Sequence, residues 1–500
     1  AHKMSRYLRD RVAFMKALKS APSAPKRGEC QYAPAMEVLG VYIGHIAVTR
    51  MVARGELPIE VGTYLNATIG RVSFAAMHGC SHGSISQHNP DHETLENVVF
   101  RLSAAILFSN DGFIEYHKRH HNRTNTDEDP DIWTTRLPLF VLGSYMSLGQ
   151  AGANGEVAAH DEIAPEERAT AQFHWDAQVM RLASLEAIKA LRESSSEDLA
   201  NVGRTLEATW RRAADMGGVL GVIFFARYPH FNCVNGQENE VDSFFDTTNR
   251  GQAEVDLWMM GEGYHHAHHA KNDIPATRLA RVGLEVEEQH PEIKAMSRGC
   301  GGLSDDSDGS LCSRLSPEEP PPDQGAWRRS TKVELHTDQL LTDPEGAIVG
   351  IAEAVLDHSI EVSLRANLGL LRDLHKRMML DRLITNRPMP MGTWDQTVWS
   401  EATQERLRAD APRIKENVLA AAKQVAAEFA QVRAGAPPLA SREDIKEGYL
   451  DFFEAVARTF ISKADGERFL ELFAGKLPAA KGLSIGDAWR KHLESPVPKD

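Results

Sequence analysis

The chain has 500 residues, 42% of them apolar, enough to bury one large core or several smaller ones. Lys+Arg 56 against Asp+Glu 70 leaves a net charge of -14, which excludes a general nucleic-acid binder with its basic face. The five cysteines, Cys30, Cys80, Cys233, Cys300 and Cys312, form no CxxC pair. An odd, scattered set excludes a disulfide framework and points to reduced thiols in the cytoplasm.

Taken in chain order, residues 1–19 are basic and interrupted by polar side chains, with no apolar stretch of the secretory type. Close-set apolar residues at Leu39, Val41, Ile43, Ile46 and Val48 predict a helix, broken by Gly55 and Pro58. A second apolar helix runs from about Val61 into His78. Gly83 to Pro90 reads as a polar turn. Asn97 to Phe113 is a further apolar stretch, and Thr124 to Asp131 reads as loop. Leu137 to Leu148 is apolar, Glu162 to Met216 has a charged helical pattern, and Gly217 to Phe225 is apolar again.

Ser297 to Gly325 is rich in Gly, Ser, Asp and Pro and reads as a linker. Beyond it, Ile348 to Leu380 and Pro412 to Arg433 are strongly helical, and Tyr449 to Leu472 is amphipathic. Strand signals are few, so the expected fold is mostly α. The expected divisions are an N-terminal segment 1–33, a helical core 34–296, a linker 297–330 and a C-terminal helical region 331–500.

No run of about 18 consecutive apolar residues exists. Met36 to Val52 is broken by Glu37, His45 and Arg50, and Val61 to Met77 by Asn66 and Arg71. Hydropathy therefore predicts buried helices of a soluble protein, or segments lying on a membrane surface. A membrane protein with its site on the cytoplasmic side is the alternative.

Three histidine clusters carry the chemistry: His78-Gly-Cys-Ser-His82, His117-Lys-Arg-His120-His121 and His265-His266-Ala-His268-His269. Residues three or four apart share one helix face, so each cluster presents two or three ring nitrogens to a common point. Together they suffice for two metal ions. A tag would be terminal and contiguous; these clusters are internal and spaced. A structural zinc site takes four ligands, usually with cysteine. The His-Glu-x-x-His protease pattern and the paired Glu-x-x-His motifs of carboxylate-rich di-iron bundles are both absent. Imidazole suits iron, copper, zinc and nickel alike, so the residues alone give a dinuclear, nitrogen-rich site and no metal identity.

The three clusters resemble the histidine boxes of the membrane fatty-acid desaturase and hydroxylase superfamily. Box two and its flank, His117 to Asn125 followed by Asp129-Pro130-Asp131, are similar to the family's H-x-x-H-H segment with its DPD. Gly261-Glu262-Gly263-Tyr264-His265 with His268-His269 resembles the third box of acyl-CoA-type desaturases. The resemblance covers about Leu39 to Leu279.

It implies two iron ions, cycling between Fe2+ and Fe3+ and held by His78, His82, His117, His120, His121, His265, His268 and His269. It also implies O2 as co-substrate, an acyl or alkyl substrate oxidised at an unactivated C–H bond, and an external donor of ferredoxin or cytochrome type. Both desaturation and hydroxylation (a monooxygenase outcome) belong to the family, within lipid metabolism. His230 is the candidate ninth ligand. His266 turns about 100° from its neighbours and reads as a supporting residue. Asp129 and Asp131 either accept hydrogen bonds from ligand imidazoles or cap a helix. His88 and His92 read as surface; His45 and Arg50 either line a polar pocket or face solvent.

Two features depart from the family: short, charged apolar segments, and a long stretch after box three. A dinuclear zinc or manganese hydrolase, which normally has bridging carboxylates, and a non-catalytic metal-binding protein are the competing readings.

Overall fold

The computed structural model describes residues 12–107, 112–123, 265–290, 326–366 and 400–460, with a short stretch between 191 and 205. All regular structure among the described residues is helical, as expected. The helices are α1 (Tyr32–Ala53), α2 (Ile59–Cys80), α3 (Glu93–Leu107), α4 (Gly112–Arg123), α5 (His265–Ala270), α6 (Ala276–Gln289), α7 (Ala326–Gln339), α8 (Pro344–Arg365), α9 (Glu401–Val432) and α10 (Arg442–Phe460). Residues 12–20 are also helical, and a 3₁₀ turn, Pro90–His92, leads into α3.

Local chemistry sets these boundaries. α1 stops where Gly55 takes a left-handed φ of 71°, while Gly55 N–H and Glu56 N–H donate to Val52 and Met51 carbonyls. Such a C-terminal turn satisfies the last carbonyls and favours glycine. Pro58 then precedes α2 without breaking it, since the first-turn N–H groups have no helical partner. Asp343 caps α8 by accepting from Gly346 N–H at 2.9 Å, and Ser400 caps α9 by accepting from Thr403 N–H at 3.1 Å.

α9 begins eleven residues before Pro412, which the sequence pattern takes as the start of its helix. Pro412 is on the exposed side, where water can serve the carbonyl that the missing N–H leaves free. The apolar stretch 97–113 divides between α3 and α4.

Two apolar cores organise the described residues. The larger joins α1, α2 and α3 to α7, α8, α9 and α10, around residues such as Leu39, Leu65, Val99, Ile351, Val418 and Phe452. Helix α7 starts inside the stretch 297–330 read as linker, and the described helices of 331–500 share this core with residues 34–107. The smaller core joins helical residues 12–20 to α5 and α6 through Phe14, Leu18, Ala267, Ile274 and Leu279.

Glu37, which interrupts the first apolar run, is 1% exposed and pairs with Arg329 Nε at 2.7 Å. Arg329 also lies 2.8 Å from His358 Nε2, so one buried network joins α1, α7 and α8. Removing one partner of such a pair costs about 3–5 kcal/mol, because the other charge stays buried.

Tyr32–Ala53 is 22 residues long with a mean hydropathy of 1.3, long and apolar enough to cross a membrane by length and composition. Its most apolar window is 78% buried against other helices. Averaging over the window passes this helix where an unbroken apolar run does not exist, because Glu37 and His45 are outweighed by their neighbours.

Candidate metal centre

Box one lies at the end of α2. His78 is in its last turn and His82 follows in the turn beyond Ser81, so the pair is only half helical. The chain stays tightly wound there: His82 N–H donates to Gly79 O at 3.0 Å and Ser81 Oγ to His78 O at 2.6 Å. Gly79 is required by space, since a Cβ there would lie 2.4 Å from Ser84 Oγ.

Box two lies on α4, where His117, His120 and His121 fall on one face at i, i+3 and i+4. Box three lies on the six-residue α5, which carries His268 and His269.

These segments converge. Ring nitrogens of His78, His82, His117, His121 and His268 lie within 4.8 Å of one another, and those of His120, His121 and His269 form a second group on the same scale. His121 belongs to both. Its Nε2 is 2.9 Å from His117 Nε2 and 3.0 Å from His268 Nε2, and His120 Nε2 is 3.4 Å from His269 Nε2.

Two nitrogens bound to one first-row ion at about 2.0–2.1 Å stand roughly 2.9–3.4 Å apart when adjacent and about 4.2 Å when opposite. The observed separations fit that donor set, and the two overlapping groups hold more imidazoles than one ion takes. Among the described residues, no carboxylate or thiolate belongs to either group.

Burial prepares the nitrogens for a cation. His78, His82, His117, His120 and His268 are all buried. Burial, and then neighbouring imidazoles, holds His82, His117 and His121 well below the usual histidine range. They are therefore neutral at pH 7, with a lone pair to donate. His82 Nε2 is buried without a hydrogen-bond partner, an arrangement costly to a lone imidazole and natural for a ligand. Cys80, beside box one, is buried and its thiol is pushed well above its ordinary pKa by desolvation, so it stays protonated.

Two phenylalanines back the cluster, each four residues ahead of the first histidine of a box. Phe74 stacks on His78 (5.9 Å, 14°) and Phe113 on His117 (5.3 Å, 4°), and the two phenyl rings meet edge to face at 6.0 Å. The Arg71 guanidinium sits 4.2 Å from the Phe74 ring centroid. Apolar rings behind metal-binding imidazoles exclude water and fix ring orientation. The four-residue offset is visible in the sequence and was the available signal for these residues.

Glu96 on α3 is missed by motif reading. It accepts hydrogen bonds from Ile85 N–H at 3.0 Å and from Ser86 Oγ, which pins the turn that carries His82 to α3. Burial pushes its carboxyl up to about 7.

Of the remaining expected site residues, His265 and His266 lie on α5, and their side chains are outside the described residues. His230, Asp129 and Asp131 are also outside them. His88 is exposed, as expected, with its side chain 3.7 Å from Asp273, whereas His92 is partly buried and packs edge-on to Tyr32. His45 is buried, and Arg50 lies 5.4 Å from the Phe460 ring; neither belongs to the nitrogen groups.

Residues 57–186 match the family model described as Fatty acid desaturase. That segment takes in boxes one and two and about a quarter of the chain; box three lies outside it. Comparison with curated proteins and with solved structures gives no match.

Proposed function

The chain belongs, through residues 57–186, to the membrane fatty-acid desaturase and hydroxylase superfamily, and from that premise we propose an O2-dependent oxidoreductase that holds two iron ions in its histidine cluster. Its substrate is an acyl or alkyl chain, oxidised at an unactivated C–H position by desaturation or hydroxylation. Electrons come from a separate ferredoxin- or cytochrome-type donor. The observation that carries this reading is the meeting of box three with boxes one and two, although box three is outside the matched segment.

The proposed ligands are His78, His82, His117, His120, His121, His268 and His269, with His265 and His230 as further candidates from the resemblance. When bound, two irons supply the O2 activation and C–H cleavage that no side chain here can perform. The protein's contribution is positional and electrostatic. Burial keeps the imidazoles neutral, so binding a cation displaces few protons. His121 belongs to both nitrogen groups. Phe74 and Phe113 keep water from the rear of His78 and His117.

The packing of α1, covered by other helices and with a buried ion pair at its start, supports a soluble or peripheral protein. Recovery only in detergent-extracted membranes would overturn that part.

The test is anaerobic loading with ferrous iron, then addition of O2, a chemical or protein reductant, and acyl substrates of varied head group. The expected result is O2 uptake coupled to a product lighter by H2 or heavier by one oxygen atom. Metal uptake without electron-dependent product would favour a binding protein; hydrolysis under zinc or manganese without O2 would favour the hydrolase.

A further inference from the structure

The turn after box one crosses from the larger core to the smaller one beside the histidine cluster. Gln87 sits at its centre and is 1% exposed. Its side-chain Nε2 donates to Ser84 O at 2.7 Å, inside its own turn. The same nitrogen donates to Asp273 O at 2.7 Å, three residues past the end of α5. Its backbone carbonyl accepts from Gly28 N–H at 2.9 Å, and its backbone N–H donates to Gly83 O at 2.8 Å. One residue thus joins the segment before α1, the box-one turn and the box-three turn.

The local backbone is costly. Gln87 and His88, neither of them glycine, have φ of 50° and 61°. Two successive residues in the left-handed region persist only where the surroundings over-determine them. Here they are held by the Gln87 bonds, by Ser86 Oγ accepting from His88 N–H at 3.2 Å, and by Asn89 Nδ2 donating to Gly28 O at 3.2 Å.

Box three needs such an anchor. The described part of α5 is His265–Ala270. Its apolar support is the smaller core, whereas boxes one and two adjoin the larger one. The half-exposed His88 side chain adds a longer contact, 3.7 Å to Asp273, across the same two turns, and the ties from Ser23 to Glu285 and from Arg278 and Arg281 to Glu334 lie farther along the chain from His268.

We propose that Gln87 is a positioning residue, whose side-chain amide locks the box-three turn to the box-one turn and so sets His268 and His269 against His78 and His82. Two carbonyl oxygens face its Nε2, so only a side chain that offers two N–H bonds serves; a carboxylate would repel both and an aliphatic chain would bond neither. The consequence for metal binding rests on the metal-centre reading above; the tie itself does not.

The test uses the full chain without metal, compared by hydrogen–deuterium exchange with Gln87→Met and Gln87→Glu. Amides of 265–275 are expected to exchange about tenfold faster or more, the equivalent of losing one such hydrogen bond, with 61–77 unchanged. No change in either variant, or a uniform acceleration along the chain, overturns the proposal; if Gln87→Glu does not fold, Gln87→Met decides.

Cobalt(II) titration then reads the consequence. Gln87→Met should bind about 10–100-fold more weakly with an altered visible spectrum, the usual cost of losing a residue that orients ligands. Wild-type affinity and spectrum in that variant would overturn the positioning role. A wild-type chain that takes up no cobalt contradicts the metal-centre reading instead, and the tie is then judged by exchange alone.

Discussion

Box one is supported differently from box three. α2 has 22 residues, nearly all buried, and shares the larger core with helices from both ends of the described chain. The described residues of α5 have their apolar neighbours in a small cluster with residues 12–20 and α6. The first arrangement fixes imidazoles through the packing of the helix that carries them. The second fixes them through ties to other segments, so the weak point of the site is the box-three side.

Paired cavities break the comparison most sharply. Leu65→Ala in the larger core and Leu279→Ala in the smaller should each lose about 2–5 kcal/mol in urea unfolding, since both side chains are fully buried. Their selectivity should differ. Leu279→Ala should also accelerate amide exchange at 265–275 before the remaining helices respond, while Leu65→Ala should act on the larger core as a whole. Identical exchange patterns would mean that the two cores unfold as one unit.

A smaller effect sharpens the box-one side. Glu96 has its folded pKa raised to about 7 against an ordinary 4.5, chiefly by burial. A group raised in the folded state favours folding fully below its unfolded pKa, and that contribution is lost as pH rises through the folded value. Stability should therefore fall between about pH 4.5 and 7, by at most about 3 kcal/mol. Glu96→Gln, which keeps the shape and an acceptor for Ile85 N–H, should flatten that slope in urea titrations at pH 5 and 8. An unchanged slope would show that Glu96 is not its source.

The convergence of the histidines was legible because spacings of three and four put several imidazoles on one face, and spacing is a property of the sequence. The helices at 32–53 and 59–80 were legible from their dense apolar residues. Other features depend on distant partners. Glu37 reads as an interruption of an apolar run until Arg329 is found opposite it. Gln87 reads as one polar residue in a polar turn until Asp273 O meets its amide. The stretch beginning at 331 looked separable because a glycine-, serine- and proline-rich segment precedes it. Its described helices are apolar on the faces that meet α1 and α2, and that complementarity is tertiary.

The most direct measurement is the ferrous-iron content of the anaerobically loaded full chain, beside that of His121→Ala. His121 is the residue that belongs to both groups. The account predicts about two irons per wild-type chain, the dinuclear expectation, and a loss of iron from both positions in the variant. Wild-type protein that takes up no iron, or a His121→Ala chain that holds its full complement, would contradict it.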